Sequence, residues 1–135
     1  MKKHLWMLAV ASSFLVAGQA GAMTKDEHKV AKERIEADYK VDKAQCDTLK
    51  DNAKDVCEKE AKGKEKVAKA ELEQQYKPGA GNERKVAQEK VSAAYEVAKE
   101  KCDDMSGEAK NACQKEAKAE EARGKADIKA MTARK

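Results

Sequence analysis

Residues 46–57 read CDTLKDNAKDVC, and residues 102–113 read CDDMSGEAKNAC. These two stretches hold all four cysteines of a 135-residue chain built mostly of Lys, Ala and Glu. In each, ten residues separate the sulfurs. If 46–57 were one straight helix, its eleven steps of about 1.5 Å would hold the cysteines about 16 Å apart. A disulfide tolerates Cα atoms no more than about 7 Å apart. A chain that doubles back inside each stretch brings the pair face to face. Of the three connectivities that four cysteines allow, the spacing therefore favours Cys46–Cys57 and Cys102–Cys113.

The flanking sequence is helical in propensity and in pattern. Ala, Lys, Glu, Gln and Arg dominate, and these residues lose little on entering a helix. Ala87, Val91, Tyr95, Ala98, Cys102 and Met105 recur at intervals of three and four, as one stripe on a helix does. Ala31, Ile35, Tyr39, Cys46 and Leu49 repeat that stripe, with Asp42 interrupting it. Ala53, Cys57, Ala61, Ala68 and Leu72 form the facing stripe of the first pair. Ala109, Cys113, Ala117, Gly124 and Ile128 form that of the second. Glu-to-Lys pairs at i,i+4 (Glu36–Lys40, Glu58–Lys62, Glu60–Lys64, Glu65–Lys69, Glu73–Lys77) add helical support. Thr24 with Glu27 reads as a capping box, and Asn52, Asn82 and Ser106 as N-caps. The predicted helices are 24–49, 53–76, 83–104 and 107–131.

The two halves are copies. Residues 29–72 align with 85–128 at a shift of 56, with about 20 of 44 positions identical. Shared composition inflates matches at Lys, Ala and Glu, but it does not align Tyr39 with Tyr95 or both cysteine pairs. Between the halves, YKPGAGN carries the only proline, Pro78, with Gly79 and Gly81. The expected organisation is a first hairpin over 23–76, a linker over 77–82 and a second hairpin over 83–135. The fold class is all-α, two disulfide-stapled helical hairpins in tandem, packed as a four-helix bundle or drawn out as an extended coiled coil.

The N-terminus, MKKHLWMLAVASSFLVAGQAGA, has the order of a secretory signal peptide. Lys2 and Lys3 precede an apolar run from Leu5 to Ala17, and small residues surround a cleavage site after Ala22. The run is shorter than the ~20 residues a membrane span needs. The expectation is an exported, periplasmic chain starting at Met23, with no stable membrane anchor after cleavage. Export suits an even cysteine count, which in a short exported chain reads as a disulfide framework. The whole chain has 29 Lys and Arg against 25 Asp and Glu, a net charge of +4. Loss of Lys2 and Lys3 lowers it to +2. Such an interleaved, nearly neutral surface does not steer nucleic acid, and three tyrosines form no stacking platform for bases. No nucleic-acid partner is expected.

No reaction is expected either. Ser92 and Ser106 are the only serines beyond the leader, neither in a G-x-S-x-G setting. His28 reads as a surface residue near a helix start. Zinc sites favour C-x2–4-C and redox pairs C-x-x-C, whereas both spacings here are C-x10-C. Neither a metal nor a cofactor is therefore expected. A cysteine-based metal-binding or redox protein is the alternative reading.

A second, weaker stripe runs along the first helix of each unit: Val30, Ala37, Val41 and Ala44, then Val86, Ala93 and Val97. One stripe closes a hairpin. The other can join the hairpins, form a dimer or hold a partner. Val30, Val41, Val86 and Val97 are the candidate partner-binding face, for an envelope protein or for self-association. A holdase-like periplasmic chaperone using that face is a third reading.

The runs KEAKGKEKVAKAELE and KEAKAEEARGKADIKA resemble in composition the helical stalk of TolA, the envelope-spanning protein of Gram-negative bacteria. ADYKVDKAQCDTLKDNAKDVCEKEAK and its copy AAYEVAKEKCDDMSGEAKNACQKEAK are similar to small exported Ala/Lys/Glu-rich proteobacterial proteins, often labelled TolA-like. The shared feature is a repeated Tyr-x6-Cys-x10-Cys unit over most of the mature chain. The resemblance implies an exported helical protein with a structural, stress-related or partner-binding role in the cell envelope. It implies no mechanism.

Overall fold

A computed structural model describes residues 21–134. The expected leader, apart from Gly21 and Ala22, lies outside the described residues. Four helices follow one another: α1 Lys25–Cys46, α2 Asp51–Tyr76, α3 Ala80–Cys102 and α4 Gly107–Ala133. No strand interrupts them among the described residues.

The turns explain the helix ends. Thr24 and Glu27 form the capping box: the Glu27 backbone N–H donates to the Thr24 hydroxyl at 3.2 Å, and the Thr24 N–H donates to the Glu27 carboxylate at 2.8 Å. α1 stops at Cys46 and α3 at Cys102, earlier than the expected 49 and 104, because the chain reverses immediately after each cysteine. Leu49 and Met105 therefore sit in exposed bends rather than on the stripes. α2 and α4 each open on a left-handed residue, Asp51 at φ 53° and Gly107 at φ 61°. These two positions are 56 apart, so both bends are built to one plan.

The N-caps assigned to Asn52 and Asn82 are corrected by the structure. Both residues lie inside the first turn of their helices, and both side chains serve the end of another helix. Asn52 donates to the Glu100 carbonyl of α3 at 2.9 Å. Asn82 donates to the Lys77 and Glu73 carbonyls at 2.8 and 3.3 Å. The Glu100 and Glu73 carbonyls also accept the Asp103 and Lys77 backbone N–H groups at 3.1 and 2.8 Å, so the asparagines add second donors where the helices end and carbonyls run short of partners. The non-helical linker shrinks from the expected 77–82 to Lys77–Gly79, since α3 starts at Ala80. Ser106 does occupy an N-cap position, without a side-chain cap bond.

Disulfides close both hairpins. Cys46–Cys57 spans 5.5 Å between Cα atoms and Cys102–Cys113 spans 5.6 Å. Cys46 and Cys102 are fully buried. The expected stripes face inward: Ala61, Leu72, Ala117 and Ile128 are buried, with Ile35, Tyr39, Val91 and Tyr95 half-buried. Ala44, Ala53, Ala109 and Ala112, small residues beside the cysteines, face solvent instead.

The hairpins then pack on each other through α2 and α3. Each helix touches only its neighbours in the chain: α1 meets neither α3 nor α4, and α2 does not meet α4. The four-helix packing is thus an open antiparallel meander. Both disulfide bends lie at one end, where Asn52 reaches Glu100, and the linker lies at the other. Because the layer is not closed into a ring, one face of α1 and one face of α4 remain uncovered by the chain's own helices.

Candidate interaction surface

Close backbone approach locates the central seam. A Cβ added to Gly63 would come 2.8 Å from the Ala93 Cβ, closer than real Cβ contacts come. Only a hydrogen at residue 63 lets α2 and α3 lie so near. Val97 lines the same groove as Gly63 and Ala93. Three ion pairs flank it: Lys90–Glu71 at 2.7 Å, Lys101–Glu60 at 3.4 Å and Lys59–Glu96 at 3.6 Å. The candidate residues Val86 and Val97 of α3 are half-buried, so in the second hairpin this stripe joins the hairpins.

In the first hairpin the same stripe has no helix over it. Val30 is 49% exposed and Val41 56%. Ala37 and Ala44 between and beside them are exposed as well. The four valines proposed from sequence as one face are therefore split by the structure, two within the seam and two on an outer face. The face of α1 that carries Val30 and Val41 is an apolar strip bounded by charge, with Arg34 and Lys40 exposed along it.

The inner seams of the two hairpins differ in chemistry. Across α1 and α2, Lys64 meets Asp42 at 2.8 Å, Lys69 meets Glu36 at 3.5 Å, and His28 meets Glu73 at 2.7 Å. The His28 ring stacks on Tyr76 with centroids 4.3 Å apart. His28 is thus a half-buried clasp at the open end of the hairpin, not the free surface residue its position suggested. Glu65, only 8% exposed, bonds to Lys69 at 2.7 Å and Lys62 at 3.1 Å. Burial pushes its carboxyl up, and the bonds to the two lysines more than reverse this, leaving it below its ordinary 4.5. Of the five Glu-to-Lys pairs expected along the helices, Glu65–Lys69 is the one formed; Lys64 reaches across to α1 instead. Lys62 also lies 5.0 Å from the Tyr39 ring centroid, a cation–π distance.

In the second hairpin the ion pair between the two arms is at the bend, Lys110–Asp103 at 3.0 Å, the counterpart of Lys54–Asp47; among the described residues none crosses the α3–α4 seam beyond it, and the other pairs are local, such as Lys125–Glu121 at 2.6 Å. Arg84, Lys129 and Thr132 stand where His28, Glu73 and Tyr76 stand in the first. Two like charges replace the clasp, and a cleft of about 530 Å³ opens beside them over Val91 and Ile128. The helices pack closely at Gly124, where an added Cβ would meet a Val91 methyl at 2.5 Å.

All four cysteines are bridged, so no thiolate is offered in this form. Among the described residues no group of three or more His, Cys, Asp or Glu side chains is placed to hold a metal ion, and no helix is long and apolar enough to cross a membrane.

Sequence reasoning found both disulfides and the second stripe. It placed Gly124 on a stripe without foreseeing its close approach to Val91, and it missed Gly63 and the His28 clasp. A signal for the glycines existed: each interrupts a long helical run with no other turn residue near it, which marks close packing rather than a bend. These features define an open four-helix meander of two disulfide-stapled hairpins. No family model, curated protein or solved structure matches the chain.

Proposed function

We infer that this chain is a non-enzymatic, exported helical protein that acts in the cell envelope by docking a partner. The observation that carries the reading is the outer face of α1, where Val30 and Val41 stay about half exposed. Their counterparts Val86 and Val97 serve in a helix–helix seam, so the stripe is of a kind that this fold uses to bind helices. The Cys46–Cys57 bridge and the ion pairs from α1 to α2 hold the strip in place, which lowers the ordering cost of docking. The two disulfides also suit an oxidising compartment such as the periplasm.

Site-specific photocrosslinking tests the docking role. A photoreactive side chain at position 41, in cells exporting the protein, is expected to trap a macromolecule, and one at the exposed position 99 of α3, a helix already flanked by α2 and α4, is not. Equal, weak labelling at both sites contradicts the reading. Location is tested by N-terminal sequencing and thiol trapping of the chain from native cells. A start at Met23 with both bridges intact supports export. Four free thiols with bound zinc or copper support the metal or redox alternative instead.

A further inference from the structure

We propose that the partner of the α1 face is the α4 face of a second copy, so that the protein assembles head to tail by repeating its own α2–α3 seam. This rests on the docking role of α1 inferred above and names its occupant.

The argument is one of continuity. The internal repeat makes α1 the equivalent of α3 and α4 the equivalent of α2. Because the meander is open, the face of α1 equivalent to the seam face of α3 is uncovered, and so is the face of α4 equivalent to that of α2. In the seam, Gly63 lies against Ala93. Shifting each residue by 56 places Ala119 of one copy against Ala37 of the next. At the same antiparallel register Ala112 falls opposite Ala44, and Ala126 opposite Val30. All six side chains are small or apolar, and all six are exposed in the single chain. Along α4, Ala112, Ala119, Ala126 and Ala133 recur at strict intervals of seven, the period that keeps a seam facing a partner helix.

Charge partly follows. The pair Glu71–Lys90 becomes Asp127–Arg34, which is still attractive. Glu60–Lys101 becomes Glu116–Gln45. Lys59–Glu96 becomes Lys115–Lys40, two like charges. Ala119 in place of Gly63 also keeps the helices slightly further apart. The intermolecular seam is therefore a weaker version of the internal one, suited to reversible association. The two faces differ, so the contact is heterologous and propagates into strings or rings rather than stopping at a symmetric dimer.

Sedimentation of the purified exported chain, bridges intact, decides this. The wild-type chain is expected to show reversible, concentration-dependent growth beyond a dimer. Ala37→Glu blocks one face and Ala119→Glu the other. Each variant alone is expected to be monomeric, and their mixture to form a 1:1 dimer through the one intact face that each retains. Circular dichroism of each variant checks that both fold. Lys40→Glu is expected to tighten association about 2–5-fold by restoring an attractive pair, and Lys40→Glu with Lys115→Glu together to return it to the wild-type level. Three results overturn the proposal: a wild-type chain and a Lys40→Glu chain that both stay monomeric at the highest soluble concentration, a symmetric dimer untouched by Ala119→Glu, or no dimer from the mixture. If position 41 crosslinks only to a different protein, the docking role of α1 stands and self-assembly falls.

Discussion

Single residues set both bends and the central seam of the fold. Asp51 and Gly107 hold the same left-handed place, with φ 53° and 61°. A Cβ there costs about 1 kcal/mol. Gly107→Ala is therefore expected to lower stability by about that amount, and Asp51→Gly to leave it unchanged or raise it slightly, as read from denaturant midpoints. Equal losses from both would contradict the shared bend geometry. At Gly63 the constraint is space. Its added Cβ meets the Ala93 Cβ, an atom fixed to the backbone, so the helices themselves must part. Gly63→Ala is expected to cost about 1–3 kcal/mol by overpacking. An unchanged melting temperature would show that the seam is looser than described. The Gly63 effect was not legible in the sequence: a mid-helix glycine announces close packing but not which helix comes close.

At the scale of helices, the two hairpins rest on different balances. The first has a cross-helix charge network and the His28 clasp; the second relies on its bridge and on packing around Val91 and Ile128. Replacing a bridged pair with serines removes about 3 kcal/mol in the chain-entropy model for loops of this size. The consequence differs by hairpin. Cys102→Ser with Cys113→Ser is expected to release α4, seen as faster amide exchange throughout 107–133. Cys46→Ser with Cys57→Ser is expected to leave α1 largely protected. Equal loss of protection would refute the contrast. Acidity acts on the first hairpin through Glu65. Folding lowers its carboxyl below 4.5, so the unfolded chain binds that proton more readily than the folded one. Its contribution is complete above the ordinary carboxylate range and is lost as pH falls through the lowered value. Glu65→Gln is expected to cost about 1–2 kcal/mol at neutral pH and to flatten the acid limb of a stability profile. The helices and bends were legible because cysteine spacing and apolar period are local signals. The clasp was not, since it joins residues 45 apart through a register that only packing fixes.

The whole molecule is governed by an absence of closure. Helix composition, two copied units and a short Pro-Gly linker were enough to foresee two stapled hairpins in tandem, but not whether they pack together or stay extended. Whether four such helices close into a ring or stay in line depends on which stripes meet across the linker. Gly63 draws α3 onto one side of α2 while α1 occupies another, and this leaves α1 and α4 apart. Everything inferred about docking follows from those two uncovered faces. Their separation is therefore the quantity to measure. Spin labels carried by unnatural side chains at positions 30 and 126, with the labelled chain diluted into a large excess of unlabelled chain so that only separations within one chain are read, report it by dipolar spectroscopy. Three helix spacings of about 8–10 Å each put the labels about 25 Å apart or more in the open meander. A single short separation of about 10 Å would mean that α1 and α4 close the bundle, and would contradict the account.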